Sequence, residues 1–281
     1  MKRKGIAQET LKIQQQGYYD FKGTKVNIEK EQEASERKSF LLTPEEGHKL
    51  IQEMKPPADG QAAVYRVVNQ STVQAIEDMA RSGPTPAVLN FASAKNPGGG
   101  FLNGAMAQEE ALAASSGLYN TLLLHETYYQ VNRGCGTMIY TDHAIYSPEV
   151  VFFRNGAFDL LETPVAASVL TLPAVNMGQV ILKGEDQEKA KAAMKDRMRL
   201  SLAIFAAQQE THLILGAYGC GVFRNNPADV AGWWQELLEE EGYGRFFREI
   251  VFAILDRSGN NITEFETLFG MRAESDGNGT K

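Results

Sequence analysis

Ala87-Val-Leu-Asn-Phe91 is a short, nearly continuous apolar run that ends in a glycine-rich loop, and few folds can hold such a segment. A strand without a polar face has to be covered on both sides, which places it in a sheet layered between helices. The surrounding pattern agrees. Val64–Val68, Ala144–Phe153, Ala166–Leu172, His212–Ala217 and Glu249–Leu255 read as further strands, and Met138–Tyr140 is also β-rich. Between them Ser71–Arg81, Gln108–His125, Asp186–Gln209 and Pro227–Glu240 read as helices, with Ile262–Phe269 closing the fold. Strands alternating with helices predict an α/β domain with a largely parallel or mixed sheet.

Residues 1–60 have a different texture. Lys4–Gln16 has a loose apolar stripe and a stop at Gly17, and Thr43-Pro44-Glu45-Glu46 carries a cap, a first-turn proline and two acids. The segment is expected to form a helical extension packed on the core, with the main domain spanning 61–270 and a disordered polar tail at 271–281.

Charge narrows the partners. The chain has 281 residues with 28 Lys+Arg against 35 Asp+Glu, a net charge of −7, so a broad basic surface for nucleic acid is not expected. An anionic ligand would have to be held locally, by backbone N–H groups and helix N-termini. Cys135 and Cys220 are too few for a disulfide scaffold, and no apolar run approaches the roughly 20 residues of a membrane helix. The polar start argues against a secretory signal, so a cytoplasmic location and no membrane partner are expected.

The loop after the apolar strand holds three consecutive glycines, Gly98, Gly99 and Gly100. Glycines between a strand end and a helix start let backbone N–H groups approach a phosphate closely. No Gly-Lys-Ser/Thr follows, so this is not a P-loop, and Asn103 stands where the dinucleotide fingerprint needs its third glycine. A tight turn that is merely rich in glycine remains the plainer reading. Gln108-Glu109-Glu110 then opens a helix. Acids in a first turn are often there for the helix dipole. Adjacent helical residues nevertheless point about 100° apart, so the pair could serve one ligand in two roles. A second glycine loop, Gly219-Cys220-Gly221-Val222-Phe223, follows another buried-type strand. Cys220 could be a nucleophile or a small turn residue. No histidine motif supplies a base, and a second phosphate loop with an aromatic contact is the favoured reading.

Three glycines, the seven-residue spacer Phe101–Ala107 and Gln-Glu-Glu together resemble the signature of poly(ADP-ribose) glycohydrolases. Asn90-Phe-Ala-Ser-Ala-Lys-Asn-Pro97, Gly219-Cys-Gly-Val-Phe-Arg224 and the N-terminal Ile6–Leu11 and Gly17-Tyr18 are similar to the microbial branch of that family, within the macrodomain superfamily. The resemblance implies a three-layer α/β/α macrodomain-like fold with a mixed central sheet. It implies hydrolysis of ribose–ribose O-glycosidic bonds, with Glu110 as general acid and then base and Glu109 orienting the ribose hydroxyls. The substrate-facing set it implies is Asn90, Phe91, Ala92, Asn96, Gly98, Gly99, Gly100, Asn103, Gln108, Gly219, Cys220, Gly221, Val222 and Phe223. Phe223 is expected on the adenosine side, Asn90 at the adenine and Asn96 at a ribose. The partner is ADP-ribose or poly(ADP-ribose), free or on protein, and the chemistry calls for no metal and no cofactor. Two other functions stay open at this point: a reader of ADP-ribose that does not cut, and a hydrolase of mono-ADP-ribosyl linkages.

Overall fold

The computed structural model describes residues 3–270; the expected tail at 271–281 lies outside the described residues. The strands are β1 (Tyr18–Phe21), β2 (Thr24–Asn27), β3 (Phe40–Leu42), β4 (Val64–Val68), β5 (Ala87–Ala92), β6 (Ala144–Arg154), β7 (Leu160–Pro173), β8 (His212–Leu215) and β9 (Glu249–Ala253). The helices are α1 (Arg3–Gln16), α2 (Glu29–Lys38), α3 (Pro44–Glu53), α4 (Thr72–Arg81), α5 (Gln108–Ser115), α6 (Leu118–Leu123) and α7 (Glu126–Gly134). They continue with α8 (Met177–Leu182), α9 (Gln187–Ala207), α10 (Pro227–Gln235) and α11 (Ile262–Phe269).

β1 and β2 form a separate hairpin, and the other strands build one sheet in the order β3-β6-β7-β5-β8-β9-β4. Pairing is antiparallel from β3 through β7 and parallel from β7 across to β4, so the sheet is mixed. β5 sits centrally, with Asn90 opposite Thr171 of β7 and Val88 opposite Ile214 of β8. Its alternate residues feed two cores. Leu89 joins Leu172, Leu215 and Phe252 under Met194, Met198 and Phe205 of α9 and Trp234 of α10. Val88 joins Val169, Ile214 and Val251 under Ile76 of α4, Leu112 of α5 and Tyr128 of α7. The apolar run of β5 is thus explained by helices on both faces, the three-layer arrangement expected.

Several local expectations change. The helix expected over Gln108–His125 breaks at Ser116-Gly117, because Gly117 N–H donates to the Val151 carbonyl at 2.9 Å and Ser116 bridges Phe152. Gln32 fills the space where a side chain at 117 would lie. Met138–Tyr140 is not a strand. The Ile139 carbonyl accepts from the buried Arg197 guanidinium at 2.8 Å, and Met138 N–H donates to the Glu185 carboxylate at 3.0 Å. α2 carries no apolar stripe to announce it, since its buried residues are Gln32 and Ser35.

Residues 3–60 are fastened to the sheet through several of their elements. β3 is its edge strand, and Ile13, Tyr19 and Ile28 pack on Val151 and Phe153 of β6. Thr10 donates to the Ala114 carbonyl at 2.6 Å and Gln14 to the Ser116 carbonyl at 2.7 Å, both at the end of α5. The buried Arg154 pairs with Glu9 at 2.6 Å.

Candidate active site

The site begins with the joint between β5 and α5. Phe91 N–H donates to Gln108 Oε1 at 2.9 Å, and Gln108 Nε2 donates to the Leu89 carbonyl at 2.9 Å. Both groups of the amide are therefore committed to the strand, and the first turn of α5 is locked beside the end of β5. Gln108, expected to face substrate, acts first as this clasp.

The two residues that follow are held by main chain. Glu109 is 3% exposed, and its Oε2 accepts from Ser93 N–H at 2.7 Å. Asn90, with no exposed surface, lies beneath it: its Nδ2 is 3.1 Å from Thr171 Oγ1 and 3.5 Å from Glu109 Oε1. That placement corrects the expectation that Asn90 meets an adenine, since its amide is closed off under the carboxylate. Glu110 Oε1 accepts from Gly100 N–H at 2.8 Å, and its Oε2 accepts from Ala107 N–H at 3.0 Å, the return half of a capping box.

Gly98 and Gly99 take φ of +64° and +59°, the left-handed region that favours glycine. A side chain at Gly99 would overlap Glu110 Oε1 and stand 2.9 Å from Glu109 Oε2, so both carboxylates converge on this residue. Burial raises the pKa of Glu109 to about 8; the Ser93 hydrogen bond opposes the shift and the Glu110 charge adds to it.

Beside the carboxylates lies a cavity of about 390 Å³ over the carboxyl ends of the parallel strands, where open α/β sheets bind ligands. Its wall includes Phe91, Met106–Gln108, Gly219–Phe223, Ala253–Leu255 and Ser71–Val73. The left-handed turn at Gly219 (φ +72°) is tied by Asn225, whose Nδ2 donates to the Gly219 carbonyl at 3.1 Å. Burial pushes the Cys220 thiol up to about 12, which speaks against a nucleophile. The Phe223 ring is 6.3 Å from that of Tyr140, above which Lys95 Nζ sits at 5.9 Å.

Of the residues expected to face substrate, Phe91, Gln108 and all of Gly219–Phe223 line the cavity. Gly99 and Gly100 touch the carboxylates, while Gly98 packs toward Tyr119 and Ala113. Ala92 is buried at the end of β5 opposite Pro173. Asn96 is exposed, its carbonyl accepting from Gly99 N–H at 3.0 Å, and Asn103 lies in the exposed turn after the glycines. Neither of these asparagines reaches the cavity wall. Ser93, Thr171 and Ala107 escaped sequence reasoning, because each contributes a main-chain group or a contact set by strand register. Among the described residues no cluster of three metal-ligating side chains occurs.

The sequence model of the microbial-type PARG catalytic domain matches residues 7–155. The fold is similar to the crystal structure of poly(ADP-ribose) glycohydrolase from Thermomonospora curvata, with TM-score 0.91 and 37% identity over 95% of this chain and 99% of that one. The same enzyme bound to the inhibitor ADP-HPD matches with TM-score 0.87 and 36% identity, over 94% of this chain and 98% of that one. The glycohydrolase from Deinococcus radiodurans in complex with ADP-ribose matches with TM-score 0.81 and 40% identity, over 86% of this chain and 98% of that one. Comparison with curated proteins gives no match.

Proposed function

The chain belongs to the microbial-type poly(ADP-ribose) glycohydrolases, and from that premise we propose how its residues hydrolyse the polymer. The enzyme cleaves ribose–ribose O-glycosidic bonds and releases ADP-ribose. In this reading the cavity takes ADP-ribose, with its diphosphate between Gly98–Gly100 and Gly219–Phe223. Backbone N–H groups of the Gly219–Phe223 loop supply the complementary charge, since Gly99 and Gly100 already donate theirs to the Asn96 carbonyl and the Glu110 carboxylate. Phe223 packs on the adenosine side, and Glu109 holds the hydroxyls of the ribose at the carboxylates.

The observation that carries the chemistry is the convergence of Glu109 and Glu110 on Gly99. Burial raises Glu109, so that carboxyl keeps its own proton near neutral pH and can donate to a ribose hydroxyl. Glu110, entering as the carboxylic acid, delivers its proton to the departing ribose oxygen as the C–O bond breaks and an oxocarbenium-like sugar forms. The resulting carboxylate then takes a proton from the attacking water, so one residue acts as acid and then base.

Residues 61–270 are read as the catalytic unit and residues 1–60 as an extension that serves it, supported by the ties of α1 to the end of α5. Among the described residues no helix is long and apolar enough to cross a membrane. A cytoplasmic location is proposed on two cysteines that are both free. The decisive assay incubates the protein with poly(ADP-ribose) and, separately, with mono-ADP-ribosylated protein. Release of ADP-ribose from the polymer supports this reading. Release from the second substrate alone would shift the assignment to mono-ADP-ribosyl linkages, and binding without release would make the protein a reader.

A further inference from the structure

We propose that Lys95 and Arg133 form a second phosphate subsite, which takes the diphosphate of the polymer unit adjoining the one released. This rests on the glycohydrolase reading. The bond to be cut joins the sugar at the carboxylates to a ribose of the next unit. When the cavity holds one unit, its neighbour must lie beyond the carboxylates, outside the cavity wall.

Lys95 and Arg133 are placed there. Neither lines the cavity. Lys95 Nζ stands over the ring of Tyr140, the next ring beyond Phe223. The Lys95 carbonyl accepts from Arg133 Nε at 2.8 Å, which ties the Arg133 guanidinium to the Lys95 backbone. The Lys95 segment is also coupled to the chemistry. Lys95 N–H and Asn96 N–H donate to Ser93 Oγ at 3.2 and 3.1 Å, and Ser93 N–H holds Glu109 at 2.7 Å.

The charge pattern leaves these residues available to an anion. In a chain of net −7, the buried arginines Arg154 and Arg197 are paired with Glu9 and Asp142. Among the described residues no carboxylate pairs with Lys95 or Arg133. Arg133 is exposed near the C-terminus of α7, whose dipole favours a cation. Beside it Gly134 and Gly136 leave open space, with nothing within 4 Å of where a side chain would start. An anion can therefore approach both cations. Poly(ADP-ribose) carries a diphosphate in every unit, whereas free ADP-ribose has one, already taken up in the cavity.

The test compares the two ligands. The Lys95→Gln/Arg133→Gln double variant is assayed for ADP-ribose release from poly(ADP-ribose) and, by calorimetry, for binding of free ADP-ribose. KM for polymer should rise about ten-fold, as expected for losing charge-assisted phosphate contacts. The salt dependence of that KM should flatten, and free ADP-ribose should bind within about two-fold of wild type if phosphate contacts of the cavity are untouched. Restoring charge with Lys95→Arg/Arg133→Lys should recover the polymer KM, which separates lost charge from damaged folding. An equal loss of affinity for free ADP-ribose would assign the cations to the cavity, and an unchanged polymer KM and salt slope would remove the subsite. Failure of the wild type to cut polymer would instead defeat the glycohydrolase reading.

Discussion

Gly99 is the seat of Glu110: the face of the glycine that lacks a side chain is the space the Glu110 carboxylate occupies. The residue thus does more than let main chain approach phosphate. Gly99→Ala adds strain at φ +59° and displaces both acids. Turnover should fall about a hundred-fold, the scale of a small misplacement of catalytic groups, in a protein that still folds by circular dichroism. Gly221→Ala is the control, since nothing lies within 4 Å of its added methyl. It should leave stability unchanged and, at most, weaken ADP-ribose binding in a calorimetric titration.

Glu110→Gln keeps the size of the side chain and removes the proton it must deliver. Release of ADP-ribose from polymer should drop about a hundred- to ten-thousand-fold, with ADP-ribose binding retained. Near-normal release would overturn the catalytic assignment.

Glu109 makes stability depend on pH. Its folded pKa, about 8, lies above the ordinary 4.5, so between these values the native state binds more protons than the unfolded chain. Stability from this group is full below the lower value and is lost as pH rises through the higher one. Glu109→Gln lacks that slope. Its melting temperature should exceed that of wild type above pH 8, with the gap closing toward pH 4.5. Parallel melting curves for the two proteins across this range would contradict the burial argument.

Gln108→Leu removes the clasp between α5 and β5, leaving the Phe91 N–H and Leu89 carbonyl without partners. The denaturation midpoint should move by an amount equivalent to about 1–3 kcal/mol. Because the acids follow directly in sequence, kcat should fall as well. Loss of substrate affinity alone would mean that Gln108 touches ligand after all.

Arg197→Met should cost about 1–3 kcal/mol in a denaturant titration, because the acceptors that the buried guanidinium satisfies lose their donor. The guanidinium, 1% exposed, binds Asp142 at 2.8 Å and the carbonyls of Ile139 and Pro173. It thereby fixes the segment in which Tyr140 adopts φ +61° under Lys95. Arg197→Lys should not rescue, since an ammonium cannot span this set of acceptors.

What was legible in the sequence follows the range of the forces involved. β5 declares itself by an apolar run, and α3 by Thr43 and Glu46, which form the capping box that their spacing predicts. The adjacency of Glu109 and Glu110 is visible for the same local reason. Their convergence on Gly99 is not, because it depends on a left-handed glycine and on main-chain donors from Ser93, Gly100 and Ala107. The position of Asn90 depends on Thr171, a contact between residues 81 apart that only the β5–β7 register creates. The break after Ser115 and the irregular path of Met138–Tyr140 are likewise imposed from a distance, by Val151 and Arg197.

The fastening of α1 also sets an order of events. Thr10 finds its partner 104 residues later, Gln14 102 residues later, and Glu9 meets Arg154 across 145. Contacts of such separation form late, after the cost of closing a long loop has been met. During synthesis, therefore, α1 must wait for its partners until the chain as far as Arg154 has followed it. The end of the helix that carries both acids is anchored only when the beginning of the chain returns to it.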